Sequence, residues 1–181
     1  MTDRRRALEK DALRAGISLS FPALAVSISS QKMLLLRADG GGKIYAISTG
    51  EKPPSNREGS NGTPRGWHVI VEKYGDGLPS GEVLLGRAAT GKPYWEFPDW
   101  RERGYVITRI LRLRGLEEGI NAGMGSDGHG CDSYKRNIYI HGTCFEERIG
   151  RPSSAGCVTL GSADAVELYD ICPVGTRVHI G

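Results

Sequence analysis

The chain has 181 residues, 39% of them hydrophobic and 25% charged, with a formal net charge of +3. That length and apolar share suit one domain with a real core, and the small, dispersed basic excess fits an anionic partner while giving no ground for nucleic acid. No apolar run reaches the roughly 18 residues of a membrane span, and 26 glycines forecast many turns and a strand-rich fold.

At the start, the charged "ALEKDALR" parts the basic "MTDRRR" from the apolar "AGISLSFPALAVSI". A short polar helix from about Arg4 to Ala15, leading into a first strand, is expected there rather than an export signal. "ALAVSIS" alternates, and "KMLLLRA", "DGGGK" and "IYAIST" form a strand, a turn and a strand. A long Pro/Gly/Ser/Asn loop over 50–66 precedes the strand "WHVIVEKYG", and 75–104, with Trp95, Phe97 and Trp100, reads as irregular. "YVITRILRL" is a strand, 114–136 a second long loop, and "NIYIHG" the next strand. "SADAVELYDI" reads as a helix capped by Ser162, with Asp164 in its first turn and Ala165, Leu168 and Cys172 on one face, stopped by Pro173. "GTRVHI" closes the chain as a strand. The expectation is one mostly β domain over 24–181, an N-terminal extension over 1–23, and one or two short helices.

The chemistry concentrates in "NIYIHGTCFEERIGRPSSAGCV". His141 ends an apolar alternation, so the sheet fixes its direction, and Cys157 sits in a turn of small residues. A cysteine attacks as thiolate and needs a base or cation to lower its pKa from about 8.5. Histidine is the usual base. Gly156 allows a sharp turn beside the nucleophile, and the small "SSAG" lets a substrate carbonyl approach backbone N–H donors. A buried structural cysteine is the competing reading of Cys157.

These residues carry a resemblance. "IYIHGT", then "IGRPSSAGCVTL", then "GTRVHI", with "AVSISSQKMLLLRADGGGKIYAISTG" and "GTPRG" before them in order, resemble the L,D-transpeptidase catalytic domain of the YkuD type from about Leu24 to Ile180. The resemblance implies a β-sandwich-like fold, a monomer and a periplasmic or cell-wall location, with peptidoglycan stem peptides as partner and no metal or organic cofactor. It implies attack by Cys157 on the amide after the L-centre of meso-diaminopimelate and departure of D-Ala. The resulting thioester is resolved by an amine or by water. His141 would be the base. Backbone N–H groups around Ala155, Gly156 and Cys157 would hold the oxyanion, and Gly142, Thr143, Ser154 and Thr159 would support the substrate site.

Two positions depart from the family pattern: Ala155 stands where a histidine is usual and Thr159 where an arginine is usual. These departures leave thiol acyl transfer intact and bring forward L,D-carboxypeptidase or amidase action as alternatives to transpeptidation. Arg136, Arg148 or Arg151 could supply the lost positive charge, though each reads first as a solvated surface residue. "GHGC" at Gly128–Cys131 mimics the motif but precedes His141 and is not followed by an apolar strand. His129 there reads as surface, or as a stand-in for the motif histidine. A Cys131–Cys144 disulfide and a fully reduced set of cysteines are both open. A metal site from His129, Cys131, His141, Cys144 and Cys157 lacks familiar zinc spacing, and an inactive wall-binding domain is the third reading.

Overall fold

The computed structural model describes residues 2–181. Helix α1 (Thr2–Arg14) is rich in strong helix formers and braced by an Arg5–Glu9 pair at 2.9 Å. It ends where Gly16 turns to φ +67° and the Gly16 and Ile17 N–H groups bond back to Leu13 and Ala12 carbonyls, a glycine-terminated cap. Ten strands follow: β1 (Ala23–Ser27), β2 (Lys32–Leu36), β3 (Gly42–Ala46), β4 (Gly66–Tyr74), β5 (Glu82–Leu85), β6 (Ala88–Pro93), β7 (Val106–Gly115), β8 (Tyr139–Thr143), β9 (Val158–Leu160) and β10 (Arg177–Ile180). A single turn, α2 (Trp100–Arg103), precedes β7, and α3 (Ser162–Ile171) lies between β9 and β10. The fold is mostly β, as expected, with three helices rather than one or two.

All ten strands belong to one curled sheet. Its spine runs β3-β2-β1-β10-β4-β7, β7 then carries β5 on one side and β8 on the other, and β9 pairs with β8. The curl brings the sheet's far edge back to its beginning. Ser48, just after β3, pairs with Thr159 of β9, through Ser48 N to Thr159 O at 3.0 Å and Thr159 N to Ser48 O at 2.8 Å.

The alternation within β1 and β2 explains the run "KMLLL". Leu24, Val26, Met33 and Leu35 face the inner core, where α3 contributes Ala165, Leu168 and Tyr169 and the residue after it contributes Cys172. Ala23, Leu34 and Leu36 face outward, under Leu8 and Ala12 of α1 and beside Trp67. Both faces of these strands are covered, so both sets are apolar; each fully buried leucine contributes about 2 kcal/mol.

Two expectations are corrected. Residues 75–104 are not irregular: they hold the β5–β6 hairpin and α2. The hairpin turn is Gly86–Arg87, both at positive φ (55° and 74°), the geometry of a two-residue turn that usually announces itself with Asn-Gly. With arginine in the second place and β6 largely exposed, neither the turn signal nor the alternation shows. Ser162 is not the cap of α3 but its first residue; the cap is Gly161, and Glu146 Oε1 accepts from the Ser162 N–H at 2.7 Å. The distant carboxylate does what a local hydroxyl was expected to do.

Candidate active site

β8 carries His141, and the turn into β9 carries Cys157. Parallel pairing of the two strands sets Ile140 against Val158 and His141 against Thr159, so the imidazole and the thiol reach one cleft of about 450 Å³. The turn is tied to the segment after β3: Ser153 and Ser154 N–H groups both bond to Thr49 O at 2.9 Å, and Glu51 N bonds to Ser154 O at 2.8 Å. Behind Thr49, the buried Gln31 donates to its Oγ1 and accepts from its N–H. The nucleophile turn therefore rests on the seam where the curled sheet meets itself.

His141 is buried, and its Nδ1 lies 2.8 Å from the Gly142 carbonyl. A carbonyl only accepts, so Nδ1 carries the proton and Nε2 keeps the lone pair. Burial lowers the His141 pKa to about 4 against the support of that carbonyl, so the ring is a neutral base at pH 7. Cys157 is half-buried. Burial pushes its thiol up to about 11, while the Tyr139 N–H and the charge of Arg136 pull the other way. The Tyr139 N–H donates to Sγ at 3.4 Å, and Sγ donates to Asn137 O at 3.5 Å. The resting pair is a neutral thiol and a neutral imidazole, with proton transfer left for the moment of attack.

The other expected residues divide by what they touch. Ala155 is exposed on the cleft wall, and Thr143 and Thr159 line it while buried. Ser154 braces the turn: its Oγ donates to Cys157 O at 2.6 Å and accepts from the Gly156 N–H at 3.2 Å. The Gly156 N–H is thus engaged within the turn, and only its release from Ser154 would aim it at an oxyanion. Gly156 has φ +116°, and a Cβ there would stand 3.1 Å from Gly62 O, so glycine is required twice over. Gly142 is packed against Ile107 O, 2.7 Å from where its Cβ would be, and its carbonyl accepts from His141 Nδ1.

Of the three arginines, Arg151 reads as expected and Arg136 does not. Arg151 is exposed. Arg148 lies on the cleft wall, stacked 3.8 Å over Phe145. Arg136 is no solvated surface residue: it is half-buried and clamps Ser55 O at 3.0 Å and Gly62 O at 2.7 Å. Sequence reasoning also missed Asn137 and Tyr139, which meet the sulfur through their backbones, a contact with no residue-type signal. Asn137 is held by a network: its Oδ1 accepts from Arg112 at 3.1 Å and Tyr139 Oη at 3.0 Å. Arg112 is paired to Glu72 at 3.0 Å, and Glu72 accepts from Tyr74 Oη at 2.6 Å and Tyr134 Oη at 2.8 Å.

All four cysteines are free, so the Cys131–Cys144 disulfide is not formed. Cys131 points at the Ala122 and Gly123 carbonyls, while Cys144 accepts from the Tyr105 N–H. His129 is exposed on the loop with Asp127, away from the cleft-lining residues. The five residues of the metal reading are not gathered, and among the described residues no group of three or more His, Cys, Asp or Glu is arranged to hold a metal ion. No helix among them is long and apolar enough to cross a membrane.

A curled sheet whose closing seam presents a cysteine turn to a histidine in the middle of the adjoining strand defines a class of protein. The chain belongs to the L,D-transpeptidase catalytic domain family, YkuD, which matches residues 22–180. The Bacillus subtilis protein named YkuD is 31% identical over 98 residues, 54% of this chain and 50% of that relative. Matched stretches span half or less of the curated relatives' own lengths. Among solved structures, L,D-transpeptidase 3 from Mycobacterium tuberculosis superposes with a TM-score of 0.52 at 16% identity, covering 88% of this chain and 60% of that one. An L,D-transpeptidase from Xylanimonas cellulosilytica gives 0.50 at 19% identity, covering 95% and 68%. These structures share the fold.

Proposed function

We propose that this chain is a cysteine acyl-transfer enzyme acting on peptidoglycan stem peptides, an L,D-transpeptidase working through a thioester on Cys157 in the periplasm or cell wall. The observation that carries the reading is the convergence of His141 Nε2, freed as a base by the bond from Nδ1 to Gly142 O, and Cys157 Sγ on one cleft.

Cys157 Sγ adds to the stem amide carbonyl as its proton passes to His141 Nε2. The oxyanion is held by N–H groups of the turn, Cys157 with Ala155 or a released Gly156. His141 returns the proton to the departing D-Ala amine, leaving the acyl group on sulfur. An incoming amine or water, deprotonated by His141, then attacks the thioester and frees the thiol. Capture by water makes the same machinery an L,D-carboxypeptidase or amidase. Ala155 and Thr159 favour that outcome, since they remove two polar groups that would hold an acceptor. In this reading residues 24–181 are the catalytic domain, and α1 is a packed extension of it.

The test is mass spectrometry of muropeptides after incubation with tetrapeptide stems. Cys157→Ala abolishes product while the fold persists, Cys131→Ala keeps it, and His141→Ala loses turnover. Full turnover by Cys157→Ala would overturn the assignment.

A further inference from the structure

We infer that Arg136 is the resident cation of the nucleophile turn: its guanidinium, clamped by neutral acceptors instead of a carboxylate, stabilises the Cys157 thiolate and locks the 55–62 loop onto Gly156. This deepens the proposed function by assigning a positioning residue to it, and it rests on that reading only for its role in turnover.

Three contacts hold the guanidinium. Nη1 donates to Ser55 O at 3.0 Å, and Nη2 donates to Gly62 O at 2.7 Å and to Ser60 Oγ at 3.3 Å. All three acceptors are uncharged. Among the described residues no carboxylate stands within ion-pair distance of Arg136, whereas Arg5, Arg103, Arg112 and Arg148 each have one. A half-buried cation satisfied only by dipoles keeps its full charge and acts on whatever is near.

The sulfur is near by two routes. Gly62 O, which Arg136 grips, lies 3.1 Å from the position a Cβ on Gly156 would take, one residue before the nucleophile. Asn137, the residue after Arg136, turns at φ +55° and presents its carbonyl to Sγ. The other groups around the pair do not duplicate this charge. His141 is neutral in its buried state, and Lys52, Arg103 and Arg148 are exposed or partly exposed on the cleft wall, where water screens them. Arg112 is paired to the Glu72 carboxylate; Arg87 and Arg109 are also held by neutral acceptors, but Arg136 is the cation that acts on Cys157. Glu51 and Glu102 are exposed at the cleft, Glu58 is exposed and acts on Arg136 from beyond ion-pair distance, and Cys131 is a buried neutral thiol. The charge of Arg136 accordingly favours the Cys157 thiolate, against the larger opposing effect of burial.

Alkylation tests this without requiring turnover. Cys157 modification is followed by peptide mass mapping from pH 6 to 11 with neutral iodoacetamide and anionic iodoacetate, in wild type, Arg136→Met and Arg136→Lys; with burial holding the thiol up at about 11, a change of midpoint is read as the displacement along pH of the rising log rate–pH line. Loss of the charge in Arg136→Met is expected to move the alkylation midpoint up by about one pH unit, making the reaction at fixed pH on the order of tenfold slower. It also lowers the iodoacetate-to-iodoacetamide rate ratio. Arg136→Lys keeps the charge without the fork and retains most of both. An unchanged midpoint and ratio in Arg136→Met overturns the inference, as does an equal rise of the midpoint in both variants, which would mark a purely structural clamp. If Arg136→Met fails to fold by thermal melt, Arg136→Lys decides alone: a midpoint kept near the wild type supports the inference, and a midpoint raised as far as loss of the charge is expected to raise it refutes the inference. Failure of muropeptide turnover with these alkylation results intact would overturn the acyl-transfer reading and leave the role of Arg136 standing.

Discussion

Glu72 is the anion on which the ordering of Asn137, and through it of the nucleophile, depends. Its carboxylate accepts from Tyr74, Tyr134 and Arg112, and these bonds, Tyr74 first, hold its pKa at about 2 against a usual 4.5. A tenfold change in proton affinity corresponds to about 1.4 kcal/mol, so the whole lowering is worth ~3 kcal/mol; a side chain 33% exposed leaves about 2 kcal/mol after solvent screening. The folded pKa is the lower one, so this stability is fully present above about pH 4.5 and is lost as pH falls toward 2. Glu72→Gln should therefore cost about 2 kcal/mol at pH 7, leaving Arg112 buried without its anion. The gap to wild type should narrow steadily between pH 4.5 and 2. Urea unfolding of both proteins at pH 7, 4 and 2.5 measures it, and taking the difference removes the titration of all other carboxylates. A gap that does not change with pH would refute the reasoning, because the carboxylate's charge would then contribute nothing.

Two further outcomes concern the turn and the products. Gly156→Ala should destabilise the protein by about 1–3 kcal/mol, because an L-residue at φ +116° is strained and its Cβ presses on Gly62 O; an unchanged melting temperature would show that the turn relaxes freely. Ala155→His with Thr159→Arg should raise the ratio of crosslinked dimers to tripeptide monomers from tetrapeptide stems, since aligning a second reactant is worth several kcal/mol, whereas wild type should release substantial tripeptide. Abundant wild-type dimers with no gain in the double variant would show that the two departures are neutral.

The strands that alternate or run apolar were legible in the sequence, because β1, β2, β4, β7, β8 and β10 each bury a face and burial writes itself into residue type. The β5–β6 hairpin was not, since its turn uses Arg87 at positive φ and its outer strand is half in water. His141 and Cys157 could be named from their neighbours, but what surrounds the sulfur could not. The Tyr139 N–H, the Asn137 carbonyl and the Gly62 carbonyl act through backbone, which every residue possesses. Arg136 was legible only as a charge, and nothing in its neighbours announces that it grips a loop more than 70 positions earlier. The cap of α3 failed for the same reason: Glu146 is remote in sequence from a helix start that carries its own serine.

The parallel pairing of β1 with β10, in which Ala23 lies beside Arg177 and Val26 beside Ile180, also has a consequence for how the molecule comes into being. β10 in turn pairs with β4, so the last strand of the sheet in chain order is the keystone between β1-β2-β3 and the strands that follow them. Without it, β1-β2-β3 and β4-β7-β8-β9 meet only across the seam at Ser48 and Thr159, and β1 and β4 each keep an unpaired backbone edge of the kind that invites pairing with other chains. Full closure of the sheet thus waits on β10, and a chain lacking residues 177–180 is left with two exposed edges rather than as a slightly smaller protein.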